Sequence, residues 1–389
     1  MTKFLPVILA FFALPSIAVT PTDAAPQKIT VAQLDQAAAA AQTKPDAEAA
    51  QQLSRLELTE RLSAARLARW EAVLTGEKAR QALVLLADQS EFLAPSDEDV
   101  VKEAAPDAAA TRQMLVKIVN YVNTTVRQLP NLMAVRQTTS FEDRPQEDVQ
   151  EPTDVISLSY LPLHFVGASS IAVTYRDRKE VVDESATKAL KHNTPGGGLA
   201  TSGEFGPILS TVLSDALKGK ITWARWERGS SGRVGVFDYT VPVEKSNYNV
   251  KFCCLIQGYS SSGLPEKTVF DERSSYHGEI VFDPADGSIL RLTLRAEMSP
   301  GSLVPKAGIA IEYGPVEIGG KNYVCPARSV SILMAHTAQQ KGAASRSNYR
   351  GAAKTFLNDV VFAHYRRFGS ETRILTADQE PAKPPDSVR

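Results

Sequence analysis

The chain has 389 residues, with 43 lysines and arginines against 44 aspartates and glutamates, and a hydrophobic share of 43%. That balance argues against a general nucleic-acid binder, which carries a basic excess, and 23 glycines and 23 prolines are too few for a collagen-like or low-complexity chain. The apolar fraction suffices for a sizeable core, and the length suggests two or three domains.

Residues 1–25 read as a secretory signal. Lys3 supplies the positive start, Phe4 to Ala18 form an apolar run containing Pro6 and Pro15, and Ser16-Ile17-Ala18 or Thr22-Asp23-Ala24 offers a cleavage site. The run is about 15 residues, short of the roughly 20 that a spanning helix needs. No later apolar stretch is longer, so the mature protein is expected in the periplasm or secreted, without a transmembrane span.

From Thr30 to Gln128 the periodicity is helical. Thr30-Val31-Ala32-Gln33 resembles a capping box that opens an alanine-rich helix ending near Gln42. Asp46 is expected to cap a second helix carrying Leu53 and Leu56, and Thr59 a third running through Leu62, Ala65 and Trp70. Gly76 ends that one, and Lys78 to Leu93 form a fourth with Leu83, Leu86 and Ala87 on one face. Pro95 and Pro106 bracket an acidic linker. In the fifth helix Leu115, Ile118, Val119, Val122 and Val126 make one apolar stripe, which Pro130 stops.

After Asn131 the period becomes two. Strands are expected at 132–143, 155–165, 171–180, 220–228, 234–242, 247–256, 276–283 and 354–366, interrupted by a helix from Pro207 to Leu217. Asp283-Pro284-Ala285-Asp286-Gly287 forms a turn, because Pro presets one dihedral and Gly accepts positive φ. The next strand places Leu290, Leu292, Leu294, Ala296 and Met298 on one face and Arg291, Thr293, Arg295 and Glu297 on the other. Ala307, Ile309, Ile311 and Tyr313 repeat the pattern, and Gly319-Gly320 turns the chain into Tyr323 to Met334. About ten mostly antiparallel strands result, with one face apolar and the other charged, and such a sheet must close on itself or be covered by helices. The expected class is α+β: a helical domain over 26–106, a β-domain over 107–375 packed on helices, and a disordered polar tail over 376–389.

Catalytic signatures fail one by one. Gly198 and Gly203 have phosphate-loop spacing, but Glu204-Phe205 stands where Lys-Ser/Thr belongs. Ser185-Ala186-Thr187-Lys188 matches S-x-x-K without its companion motifs. His277 and Glu279 share a strand face as a conceivable acid–base pair, which a surface histidine beside an acid explains equally. Arg366-Arg367 and Arg373 read as a solvated basic cluster. These motifs leave an envelope hydrolase as the least favoured class, and no cofactor is expected.

Export makes a disulfide the expected state of Cys325 with one of the adjacent Cys253 and Cys254. Cys254 is preferred, since it shares a strand face with Val250, Phe252 and Ile256; three buried free thiols are the alternative. No histidine or acid stands at metal-ligand spacing around them. The aromatic and aliphatic residues Trp223, Trp226, Phe237, Tyr239, Phe252, Leu292, Leu294, Tyr313 and Phe362 fall on expected strands. Such residues fill cores, and on a concave sheet they also form a site for a hydrophobic ligand.

Several segments follow one another in a telling order. The amphipathic helix from Ala108 to Gln128 leads into Leu132-Met133-Ala134-Val135-Arg136, and later come Phe282-Asp283-Pro284-Ala285-Asp286-Gly287, Ile311-Glu312-Tyr313-Gly314-Pro315 and Cys325-Pro326-Ala327-Arg328. Phe356-Leu357-Asn358-Asp359-Val360-Val361-Phe362 closes the series. In this organisation the C-terminal 260 residues or so resemble the lipoprotein-carrier superfamily of periplasmic half-barrels. Over nearly the full length, including Thr30 to Leu34 and Leu56 to Leu62, the chain is also similar to a set of exported bacterial proteins that carry no assigned activity. The first resemblance implies a curved antiparallel half-barrel that binds acyl chains without catalysis. The expected function is therefore an exported, non-enzymatic module for a hydrophobic ligand, lipid or lipidated partner. The alternative is an interaction module whose helices over 30–94 meet an envelope protein while the β-domain serves as scaffold.

Overall fold

The computed structural model describes residues 26–150, 155–158, 160–177, 179–182, 199, 203–230, 232–259, 265–336, 339–341 and 348–368. The expected signal segment, the Ser185–Lys188 motif and the polar tail lie outside these residues.

The N-terminal part contains β1 (Gln27–Ile29), α1 (Val31–Ala41), α2 (Asp46–Leu53), β2 (Leu56–Leu58), α3 (Ala64–Val73) and α4 (Glu77–Ser90). The capping box at Thr30 is present, with Gln33 N–H donating to Thr30 Oγ1 at 3.2 Å and Thr30 N–H to Gln33 Oε1 at 2.9 Å. Two other expected caps do different work. Asp46 accepts from the N–H groups of Lys78 at 3.2 Å and Ala79 at 2.8 Å, so it caps α4 rather than its own helix. Gly76 permits this approach, because a side chain there would overlap the Asp46 carboxylate. Thr59 donates to Ile29 O at 3.2 Å and helps tie β2 to β1 in a parallel pair, which the helical periodicity gave no sign of. Leu34, Leu53, Leu58, Leu62, Leu83 and Leu86 form a core within this part.

The remainder is built on α5 (Ala108–Gln128), α6 (Pro207–Lys218) and a large open sheet. Its strands are β3 (Val100–Val101), β4 (Leu132–Arg144), β7 (Leu161–Arg176), β8 (Lys179–Val182), β9 (Lys220–Gly229), β10 (Gly232–Val241), β13 (Ser275–Phe282), β14 (Ile289–Glu297), β15 (Lys306–Ile318), β16 (Lys321–His336) and β19 (Ala353–Arg367). The eleven run in the order β3-β9-β10-β13-β14-β15-β16-β19-β4-β7-β8, and the main-sheet pairings are antiparallel. Three further pairs stand apart: β5 (Glu147–Gln150) with β6 (Val155–Leu158), β11 (Asn249–Tyr259) with β12 (Pro265–Arg273), and β17 (Gln339–Lys341) with β18 (Asn348–Arg350). The 247–256 strand therefore belongs to a hairpin outside the main sheet, and β3 carries the segment before Pro106 into the sheet itself.

The mixed α+β class is thus present, with six helices among the described residues. None of them is long and apolar enough to cross a membrane.

Strand alternation divides the sheet into two faces. On the apolar face Phe237, Tyr239, Tyr276, Ile280, Phe282, Leu292, Leu294 and Ile311 pack against Met114, Ile118 and Val122 of α5 and Leu209, Val212 and Leu213 of α6. The turn at Asp283–Gly287 fastens α5, since Lys117 Nζ donates to Pro284 O and Ala285 O at 2.9 and 2.8 Å. Gly287 has φ +82° there, and a side chain on it would strike the α5 backbone.

The opposite face is charged, yet it is covered. Arg61 Nη2 lies 2.5 Å from Glu227, and Arg225 bridges Glu227 and Glu279 at 2.6 and 2.7 Å. Arg291 Nε meets Glu91 at 2.6 Å, and Arg328 spans Asp88 and Asp359. Leu85 packs beside Phe141, Val330 and Leu357 on the same face. Arg291 and Thr293 are accordingly buried, at 8% and 4% exposure, beneath the segment that follows α4. Alternation specifies which residues share a face; it does not specify what lies over that face.

Candidate functional site

The nine expected ligand residues divide among three clusters. Trp226, Phe237, Tyr239, Leu292 and Leu294 lie in the core between the sheet and helices α5 and α6, with Trp223 and Tyr313 half-buried at its margin. There the rings contact one another: Trp223 meets Phe237 edge-on at 5.4 Å, and Phe237 stacks on Phe282 at 5.3 Å. Tyr239 Oη donates to Thr293 O at 2.6 Å, and Trp226 Nε1 to Ala104 O at 3.2 Å. Phe362 belongs to a second cluster, against Phe205 and Cys325. Phe252 belongs to a third, where it lies 5.1 Å from Phe356 beneath the β11–β12 hairpin.

Of the nine, only Phe252 lines the cavity of about 480 Å³ that lies between α6, the hairpin and the sheet. The first turns of α6 supply Pro207, Ile208, Thr211 and Val212; strand β11 supplies Val250, Phe252 and Cys253; strands β15 and β16 supply Ala307, Ile309, Ser331 and Leu333. The α6 residues come from the helix whose other side is packed in the core, while Val250 and Phe252 alternate inwards from the hairpin. The volume falls within the range of small-molecule sites, and most of the wall is apolar.

One polar group stands out on the floor. Ser331 is 1% exposed, and its hydroxyl has no hydrogen-bond partner. Ser329, two residues earlier on the same face, is equally buried and also unpartnered. Across the sheet Ser331 pairs with Asn358 of β19, which pairs in turn with Ser140 of β4. Asn358 Nδ2 donates to Leu199 O at 2.6 Å, on a residue that also lines the cavity. A small polar row therefore crosses three strands next to the apolar residues of the cavity. The sequence gives no local sign of this, since alternation in Ser329-Val330-Ser331-Ile332 marks the valine and isoleucine side as the apolar one; the serines face the core because they pair with Ile311 and Ile309 of β15.

Charge is nearly absent from the lining. Lys251 is the one ionic side chain around the cavity among the described residues; it is 66% exposed and pairs with Asp271 at 2.9 Å. Burial pushes the neighbouring Tyr248 hydroxyl up to about 12, so it stays protonated. At the C-terminal end of α6 the buried Asp215 accepts from Asn247 N–H and Nδ2 at 2.7 and 2.6 Å and from Tyr276 Oη at 3.0 Å, which fixes the start of the hairpin.

In the structure Cys253 and Cys254 are at disulfide distance from each other and Cys325 is buried apart from them, so the expected partners Cys254 and Cys325 are not brought together. The reason lies in placement. Cys253 and Cys254 occupy a register shift in the β11–β12 hairpin, while Cys325 sits on the main sheet among Phe205, Val360 and Phe362. Burial raises the Cys325 thiol to about 12.

The conceivable acid–base pair is also separated by its partners. His277 Nδ1 lies 2.8 Å from Glu297, whereas Glu279 is held by Arg225, Arg291 and Arg61 on the charged face. Arg366 and Arg367 are exposed. A larger hollow, of about 710 Å³, lies at α1 and α2 and is walled by Gln27, Gln33, Gln36, Gln51, Gln52 and Arg55. Its amide-rich walls are suited to water more than to an apolar ligand.

Comparison with protein-family models, with curated proteins and with solved structures finds no match to this chain.

Proposed function

We propose that the protein is an exported, non-enzymatic binding module that holds a hydrophobic ligand in the cavity between α6, the β11–β12 hairpin and strands β15 and β16. The observation that carries this reading is a space of about 480 Å³ with largely apolar walls, left open beside a core that is otherwise filled by its own side chains. The aromatic residues over β9 to β14 serve as packing in this reading, and the ligand contacts move to Phe252, Ile208, Val212, Ile309 and Leu333. The open eleven-stranded sheet with two helices on its apolar face supports a half-barrel of the carrier kind. The volume holds on the order of sixteen water-sized groups at about 30 Å³ each, which suits one chain better than a multiply acylated anchor.

The interaction alternative draws no comparable support. No large hydrophobic side chain on α1 to α4 is strongly exposed among the described residues, so the helices present no apolar stripe.

The test is saturable binding of the apolar fluorophore N-phenyl-1-naphthylamine to the full chain. Thr211 is half-buried on α6 and lines the space, so Thr211→Phe fills it. The variant is expected to weaken probe binding at least ten-fold with its unfolding midpoint preserved. Equal binding by both proteins would place the probe elsewhere and defeat the reading.

A further inference from the structure

The cavity floor says what kind of ligand the site accepts. Resting on the binding reading above, we infer that the site selects an uncharged amphiphile whose hydroxyl or carbonyl group hydrogen-bonds to Ser331, with its hydrocarbon body along the apolar walls. Three observations converge. Ser331 reaches the cavity wall, is almost fully buried, and has a hydroxyl with no partner. A buried donor without a partner is a standing cost that a ligand oxygen removes. The polar row that continues through Asn358 and Ser140 places further small polar groups on the same face. It consists of serine and asparagine, with no ionic group in it.

The charge distribution excludes the commonest alternative, a fatty carboxylate. Among the described residues no cation is buried in the lining to receive one, and an ionised carboxylate taken out of water without a partner is strongly disfavoured. Lys251 is the only cation among the described lining residues, and it is solvated and already paired with Asp271 on the hairpin. A carboxylate held by Lys251 would leave the Ser331 hydroxyl unsatisfied at the far wall.

The experiment is displacement of N-phenyl-1-naphthylamine from the full chain at pH 8 by 1-dodecanol or by dodecanoate. Dodecanol is expected to displace the probe at concentrations at least ten-fold lower. Ser331→Ala should raise the apparent Kd for dodecanol about five-fold and leave that for the probe within two-fold. Ser331→Thr, which keeps the hydroxyl, should restore the dodecanol affinity, and this separates a lost hydrogen bond from a disturbed strand. Dodecanoate binding as tightly as dodecanol, with its affinity lost in Lys251→Gln and retained in Ser331→Ala, would overturn the inference while leaving a hydrophobic binding site standing. Failure of the probe to bind, or indifference to Thr211→Phe, would overturn the binding reading and this inference with it.

Discussion

The two faces of one sheet are covered in opposite ways. Against α5 and α6 the strands present Phe237, Phe282, Leu292 and Ile311, and contact is made by area. Against the N-terminal part the same strands present Arg225, Glu227, Glu279 and Arg291, and contact is made by ion pairs with Arg61 and Glu91. Apolar burial adds stability roughly in proportion to area, at about 25 cal/mol per Å². Buried ion pairs spend most of their attraction on desolvation, so their net gain is small, while the loss of one partner is severe. The apolar face thus holds the sheet together, and the charged face fixes where the N-terminal helices sit. The arrangement is also unevenly charged: Asp88 and Glu312 lie on the arginine-rich face, and burial raises both above the usual carboxylate range.

The comparison can be broken most sharply on the apolar face. Phe237 is fully buried between Trp223 and Phe282, and Phe237→Ala should cost about 4 kcal/mol in urea unfolding of the whole chain. A loss under about 1 kcal/mol would mean that this face is not the main core. On the charged face Arg291→Ala strands Glu91 and should cost about 3 kcal/mol, whereas the double replacement Arg291→Leu with Glu91→Leu should recover most of it. Equal costs for the single and double variants would show the pair to be strongly net stabilising.

A smaller effect on the apolar face is read by pH. On the apolar face, beyond the cavity, Glu180 accepts from Gly203 N–H at 2.8 Å, and burial and the nearby Glu204 carry its carboxyl up to about 7. The folded chain therefore binds this proton more tightly than the unfolded chain, where the group titrates near 4.5. Its contribution to stability is complete below about pH 4.5 and is lost as the pH rises through the window to about 7. Glu180→Gln should remove that slope and be more stable than the natural chain by roughly 2 kcal/mol at pH 8, with little difference at pH 4. A variant that is less stable at pH 8 would contradict the shift. The smallest effect is at the cavity floor. Ser331→Ala removes an unpartnered hydroxyl and should stabilise the ligand-free chain by about 1 kcal/mol, in the opposite direction to its expected effect on dodecanol binding.

Local chemistry was the most legible part of the sequence. The Thr30–Gln33 capping box, the α5 stripe at Ile118 and Val122, the Asp283–Gly287 turn and the Gly319-Gly320 hairpin all depend on neighbours within a few residues. Asp46 was misread because its partner, the start of α4, is about 30 positions away and reached only after the chain folds back. What covers the charged face was not legible for the same reason, since Arg291 meets Glu91 across 200 positions. The separation of Cys254 from Cys325 was not legible, because strand alternation says nothing of a register shift at Cys253 and Cys254. At the site, alternation was enough to bring Phe252 inwards, but Ser329 and Ser331 owe their buried face to pairing with Ile311 and Ile309 on β15. The empty space beside them is a property of helix, hairpin and sheet together, and no local pattern encodes it.

The most direct measurement is native mass spectrometry of the full chain purified from the cells that make it, followed by organic extraction. One uncharged, single-chain amphiphile bearing a hydroxyl or carbonyl is expected per chain, and it should be absent from Thr211→Phe prepared in the same way. The bare chain mass from both proteins, or a bound carboxylate retained by both, would contradict a cavity that selects its ligand through Ser331.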